Sequence, residues 1–347
     1  MKYLQGLIKP WAFSYFEIKI IINLTNQMKQ VMKLENQSDS QNKYNKKLGI
    51  IYGVMAFTAW GFLPVYWDLL NQIPALEILA HRIVWSFIFV TALLIVKGKF
   101  NTLKEILASR QKSLLVFAGA VLISINWYTY IWAVNSNFVL QTSMGYYINP
   151  LVVSLLSMVV LKEKFNKGKI TALILATIGV LIQTVQYGSV PWVALILAVS
   201  FALYGLVKKV VNIDTITALA LETLMITPIA LFYIGRIELG GTGSLTVIPF
   251  SVLVILLLSG IVTATPLLWF ARGTQLVEFS TIGFLQYIAP TISFFLGVFF
   301  FREDFSITHL VSFGFIWTAL IVYTLAITRG TKKEQGQVRT SKSETRV

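Results

Sequence analysis

The sequence contains no cysteine, which excludes disulfides and thiolate metal sites. Charge is also scarce: only 13% of the 347 residues are Asp, Glu, Lys or Arg, about half the share of an ordinary soluble domain. There are two histidines, His81 and His309, too few and too far apart for a metal site. No Gly-x-x-x-x-Gly-Lys phosphate loop, His-Glu-x-x-His zinc helix or Gly-x-Ser-x-Gly elbow is present. The familiar routes to ATP hydrolysis, metalloprotease and serine-hydrolase chemistry are therefore missing, and neither an enzyme nor a cofactor is expected. No cleavable signal stands at the start either, since the first long apolar run begins near Leu48.

What is abundant is apolar sequence, at 56% of residues. One water-soluble core of this size could not hide it, so the expected solvent is a lipid bilayer. The chain repeatedly offers the roughly 20 apolar residues that a membrane helix needs. Ten spans are expected, at 48–70, 74–96, 113–133, 141–161, 169–186, 190–207, 214–235, 247–270, 277–301 and 307–328. The runs are continuous, not alternating, which argues against barrel strands.

The formal charge is +14, but its placement reads as topology, not as a nucleic-acid footprint. Lys43, Lys46 and Lys47 precede the first span. Lys97 to Lys112, Lys162 to Lys169, Lys208 with Lys209, and Arg272 occupy every second loop. Loops 68–73, 134–140 and 187–189 carry no positive charge; Arg236 and Arg302 are the exceptions. Both termini are expected in the cytoplasm, which requires an even number of spans. Residues 1–47 read as a cytoplasmic extension. Its Ile18 to Leu24 patch is too short to span, and serves as an interfacial helix or belongs to a dispensable segment ahead of an alternative start at Met32. Residues 329–347 read as a polar, unstructured tail.

The sequence also repeats itself. Tyr147, Ile148 and Pro150 recur as Tyr287, Ile288 and Pro290. At the same offset Lys162, Glu163 and Phe165 recur as Arg302, Glu303 and Phe305. Ala75, Leu76, Glu77 and Leu79 match Ala220, Leu221, Glu222 and Leu224, and Trp60-Gly61 matches Tyr204-Gly205. Residues 48–187 and 188–328 thus read as two copies of a five-span unit. Five is odd, so the second copy enters from the opposite side. The expected fold is all-α, with ten membrane helices as two inverted repeats. This is a plan of secondary transporters, whose substrate site lies where the halves meet.

Several of these residues resemble a known family. Residues 59–61 (AWG), Pro64, 74–77 (PALE), His81-Arg82, Asn126-Trp127, 145–150 (GYYINP) and 283–290 (GFLQYIAP) look like the RarD branch of the EamA group, within the drug/metabolite transporter superfamily. The resemblance covers roughly residues 45–330. It implies a two-repeat carrier in the bacterial inner membrane, and a link to chloramphenicol that leaves the physiological substrate open.

Candidate site residues follow from polar chemistry at membrane depth. Glu77 and His81 share a helix face, with Arg82 beside them. They serve proton coupling or hold a substrate anion, or form an internal salt bridge in which Glu77 pairs with Arg82 or His81. Glu222 matches Glu77 and is a gate or coupling group of the other access state, or a polar helix partner. Pro150 and Pro290 free the carbonyls of Tyr146 and Gln286. Tyr146, Tyr147, Asn149, Gln286 and Tyr287 around those kinks line the substrate pathway, unless the prolines are purely structural. Trp60, Asn126, Trp127, Tyr128 and Trp132 form an aromatic wall or anchor at the interface. Gly49, Gly53 and Gly61 make a packing stripe. The expected partners are a small-molecule substrate, protons and the bilayer; a homodimer is left open. A facilitative carrier, a channel, and a membrane receptor or assembly subunit are the alternatives.

Overall fold

A computed structural model describes residues 15–136, 138–211, 213–300, 302 and 307–344. Side chains are described only from residue 41 to residue 328, with further gaps at 135, 139 and 140. The Ile18 to Leu24 patch, Glu303 and Phe305 thus lie outside the described side chains. Compactness divides the chain into residues 1–48 and 49–347.

Every regular element among the described residues is an α-helix. The order is α1 (Tyr15–Asp68), α2 (Ala75–Val96), α3 (Phe100–Ala108), α4 (Arg110–Asn135), α5 (Val139–Val159) and α6 (Lys167–Tyr187). It continues with α7 (Trp192–Val210), α8 (Thr215–Leu239), α9 (Phe250–Leu276), α10 (Phe279–Leu285), α11 (Ile288–Phe299) and α12 (Ile307–Glu344). Among the described residues, nine helical segments are long and apolar enough to cross a membrane, with α10 and α11 counted together as Phe279–Phe299. Helix α5 falls outside those nine but occupies the remaining expected span.

Local chemistry sets the ends. Asn166 caps α6 by accepting from the Lys169 N–H at 2.9 Å, and Gly188 ends that helix in the left-handed region. Asp214 caps α8 through the Thr217 N–H at 3.0 Å. Burial alone would raise the Asp214 carboxyl, but the Lys99 ammonium and the N–H and O–H of Thr217 outweigh it and hold the group below its ordinary value.

Three features depart from expectation. The basic stretch after α2 contains the short helix α3, whose Ile106 is buried against Val116, Val211 and Ile213. The chain after Thr328, expected to be unstructured, continues as helix to Glu344; no proline interrupts it. The apolar segment around Pro290 is not one continuous helix. It breaks at Gln286 and Tyr287, and Pro290 sits in the first turn of α11, where a missing N–H costs no bond. The freed Gln286 carbonyl accepts from the Ala289 N–H at 3.2 Å. Pro150, by contrast, lies inside continuous α5.

The repeat register is visible in the backbone. Helices α5 and α11 end at Val159 and Phe299, and among the described residues Lys162 and Arg302 are the non-glycine residues with positive φ, at 53° and 55°. Both members of each pair match in the sequence repeat. Three repeat-matched pairs are in contact, α2 with α8, α5 with α10 and α6 with α12, while α4 and α5 also pack on α7 and α2 on α9.

Small residues let these helices approach. Gly49 and Gly53 face Leu276 and Leu285, and Gly61 faces Ile292, as a packing stripe requires. The tightest crossing joins α2 and α9 at Gly260. A Cβ there would lie 2.2 Å from the Trp85 carbonyl carbon, and the Ser86 hydroxyl donates to the Gly260 carbonyl at 3.1 Å. Backbone cannot swing aside as a side chain can. Gly260→Ala is therefore expected to force α2 and α9 apart and cost about 1–3 kcal/mol, read as a lower melting temperature in detergent; an unchanged melting point would contradict this packing.

Candidate functional site

The polar groups within the helices fall into three places. The first is at the start of α2. The Glu77 carboxylate is buried and accepts from the Ser244 N–H at 2.8 Å and the Ser244 hydroxyl at 2.9 Å. His81 Nε2 lies 4.0 Å from Glu77 Oε1 and has no hydrogen-bond partner. Ser244 belongs to the loop between α8 and α9, so the start of α2 meets the end of α8. Arg82 does not pair with Glu77. Its guanidinium lies over the rings of Trp67 and Trp127, 5.2 and 5.0 Å from their centroids, and its Nε is buried without a partner. Its electrostatic neighbours are Tyr130 and Tyr146. Tyr146 keeps 55% of its surface exposed although it faces Arg82 and Tyr130 from another helix.

The second place is the middle of the bundle. Gly283 of α10 lies against Val153 and the Pro150 carbonyl of α5. Tyr287 is 1% exposed, and its hydroxyl donates to the Tyr147 carbonyl at 3.4 Å. Gln286 is buried with neither amide atom partnered. Asn149 donates to the Ala198 carbonyl at 2.5 Å, and Asn126 to the Leu197 carbonyl and Ser200 hydroxyl at 2.9 and 3.0 Å. These two asparagines tie α5 and α4 to α7. Trp60 packs among Phe57, Phe201 and Phe270. Trp132 stands apart with Phe138 and Trp192 at a helix end, and Tyr128 is largely exposed.

The third place is the opposite end. Glu222 is two turns into α8, far from the end that meets Glu77. It is buried, ion-paired with Lys208 and hydrogen-bonded by the Tyr204 hydroxyl at 3.2 Å. Gly119 of α4 leaves room for its carboxylate. The nearby loops are tied as well. Lys99 pairs with Asp214, Lys169 with Glu278 at 2.5 Å, and Lys209 donates to the Val277 carbonyl. Glu163 accepts from the Phe279 and Ser280 N–H groups at 2.5 and 3.1 Å, capping α10. The two repeat-matched glutamates are thus partnered differently, Glu77 by serine and histidine and Glu222 by lysine and tyrosine.

The model of the EamA-like transporter family matches this chain twice, at residues 47–185 and 189–325. The chain belongs to the EamA-like transporter family. It is a multi-pass bacterial membrane protein built from two copies of the EamA unit. It is 46% identical to the uncharacterized transporter YojE of Bacillus subtilis over 81% of this chain and 94% of that one. It is 40% identical to protein RarD of Escherichia coli (80% and 94% covered), and 38% to an uncharacterized transporter of Vibrio cholerae (82% and 94%). A solved crystal structure superposes with a TM-score of 0.62 at 17% identity, covering 80% of this chain and 98% of that chain, a likeness of fold alone. Membership in the transporter family agrees with the expectation that the chain is not an enzyme.

Sequence reasoning on this EamA chain missed Lys208, Tyr204 as a glutamate partner, Trp67, Tyr130 and Ser244. Lys208 carried a usable signal, a cation in the last turn of an apolar helix opposite a glutamate in the next. The others are aromatic or hydroxyl side chains, whose type and spacing do not reveal a charged partner.

Breaking a buried ion pair strands the surviving charge. Lys208→Met is expected to cost roughly 3–5 kcal/mol, and adding Glu222→Gln should recover most of it. A double-mutant cycle by denaturation in detergent checks this; additive losses would contradict the coupling.

Proposed function

We propose that the chain is a secondary-active carrier of a small molecule, working by alternating access between two five-helix units of inverted topology. The observation that carries this reading is a difference between the two ends of the bundle. Ion pairs and caps draw together the loops beside Glu222, whereas in the other half Arg82 has no counter-charge among the described residues and Tyr146 leaves 55% of its surface uncovered. A carrier needs such a one-sided state and its reverse. Repeat-matched helices pair with each other across the middle, which supports a twofold relation between the halves.

By the distribution of Lys and Arg, the tied end faces the cytoplasm of the bacterial inner membrane, with both termini there. The open half then faces outward. Glu77, His81 and Arg82 lie in that half, and Glu222 in the inner half. Glu77 and His81 are the groups proposed to take and release a proton, which makes transport proton-coupled. Glu222 acts in the opposite access state, where its pair with Lys208 opens. Tyr146, Tyr147, Asn149, Gln286 and Tyr287 border the pathway, with Trp60 and Asn126 behind it. Pro150 lies within α5 and Pro290 in the first turn of α11, beside the crossing of α5 and α10. The relatives named RarD motivate chloramphenicol as a compound to test, and export of drugs or metabolites as the direction.

The test starts with a thermal-shift screen of purified protein against antibiotics, chloramphenicol included, and cell metabolites. Labelled forms of the compounds that raise the melting temperature are then followed in proteoliposomes. Counterflow is expected, with accumulation driven by an imposed pH gradient. Glu77→Gln should keep counterflow and lose the gradient-driven accumulation. Conduction without exchange would mean a channel, chemical change an enzyme, and coupling undisturbed by Glu77→Gln would remove that residue from the proton path.

A further inference from the structure

Arg82 is a cation at membrane depth with no counter-charge among the described residues. Lys208 has Glu222 and Lys169 has Glu278. No described carboxylate comes within ion-pairing distance of Arg82, although Glu77 is only five residues away and turned to Ser244. A guanidinium does not lose its proton in a protein, and an uncompensated charge at membrane depth costs several kcal/mol. Two indole rings hold it from the side, yet they offer no acceptor to the N–H donors along its planar edge. The groups that act on it electrostatically are the hydroxyls of Tyr130 and Tyr146, which can themselves donate. The site is therefore a set of donors around one positive charge, with Tyr146 only partly covered.

We infer that Arg82 is the anion-binding centre of the substrate site, and that the substrate is an organic monoanion with a carboxylate and a planar, apolar body. The fork of the guanidinium matches a carboxylate in two parallel hydrogen bonds. One cation and no second nearby matches one negative charge better than a phosphate dianion. Trp67, Trp127, Tyr130 and Tyr146 supply flat apolar surface for the body. This inference rests on the carrier reading, but it concerns what binds, not whether the bound molecule crosses.

Equilibrium binding to the full-length protein in detergent tests it without requiring transport. The probes are phenylacetate and indole-3-acetate, set against their neutral amides, the amines phenethylamine and tryptamine, and inorganic phosphate. The acids are expected to bind at least tenfold more tightly than the amides, amines or phosphate. Arg82→Gln should abolish that preference while melting at or above the wild-type temperature, because it removes a charge that has no partner. Arg82→Lys should retain part of the preference, and Tyr146→Phe should weaken the acids several-fold should the glutamine variant not fold. Acids binding no better than amides, a preference that survives Arg82→Gln, or no binding of any probe at millimolar concentration would overturn the inference. So would displacement of the acids by phosphatidylglycerol, which would make the site one for a lipid headgroup. Counterflow of some other compound alongside a failed binding test would leave the carrier standing and remove only the anion.

Discussion

An ionised side chain inside hydrocarbon must find compensation, and this requirement organises the polar interior of the protein. Glu222 finds it in Lys208 and Tyr204, and Glu77 in the N–H and hydroxyl of Ser244. Each solution binds a helix to a partner from elsewhere in the chain. The Glu222 pair joins α7 to α8 beneath α4, and the Glu77 bonds join α2 to the loop beyond α8. Arg82 is left with aromatic rings alone. The same rule that gives the first two groups partners within the chain leaves the third for the proposed ligand to partner.

Backbone satisfaction imposes a second order on the helices. A helix in lipid satisfies its own hydrogen bonds, so breaks are confined to places where protein surrounds them. The break at Gln286 and Tyr287 lies where α10 crosses α5, with Gly283 against the Pro150 carbonyl. Both amide atoms of the Gln286 side chain remain unpartnered there. The helix break and the unmatched amide of Gln286 thus coincide at this crossing, where a carrier has use for both.

Much of this was legible in the sequence, because the bilayer writes element length directly into composition. All ten expected spans contain a helix, and the matched Lys162 and Arg302 follow helix ends in the same positive-φ conformation, whereas the Tyr-Ile-x-Pro match is a helix break only in the second copy. The partners were not legible. Glu77 was open to pairing with Arg82 or His81 by spacing alone, and the deciding group, Ser244, comes from 167 residues away. Asn126 and Asn149 were read as pathway residues, yet both spend donors on α7 carbonyls, a choice set by helix packing. Helix α3 escaped notice because a short amphipathic turn in a basic loop has too few apolar positions to show a period.

The central claim is that the end held by Lys208 and Glu222 is closed while the Arg82 half is open to the other side. The absence of native cysteine makes single-cysteine accessibility a direct measure of it. Tyr146→Cys and Val116→Cys would be labelled with a membrane-impermeant thiol reagent added to either side of sealed vesicles. Labelling at 146 from the outer side only, and at 116 from the inner side only after Lys208→Met, is the predicted result. Free labelling at 116 with Lys208 intact, or none at 146 from outside, would contradict the account.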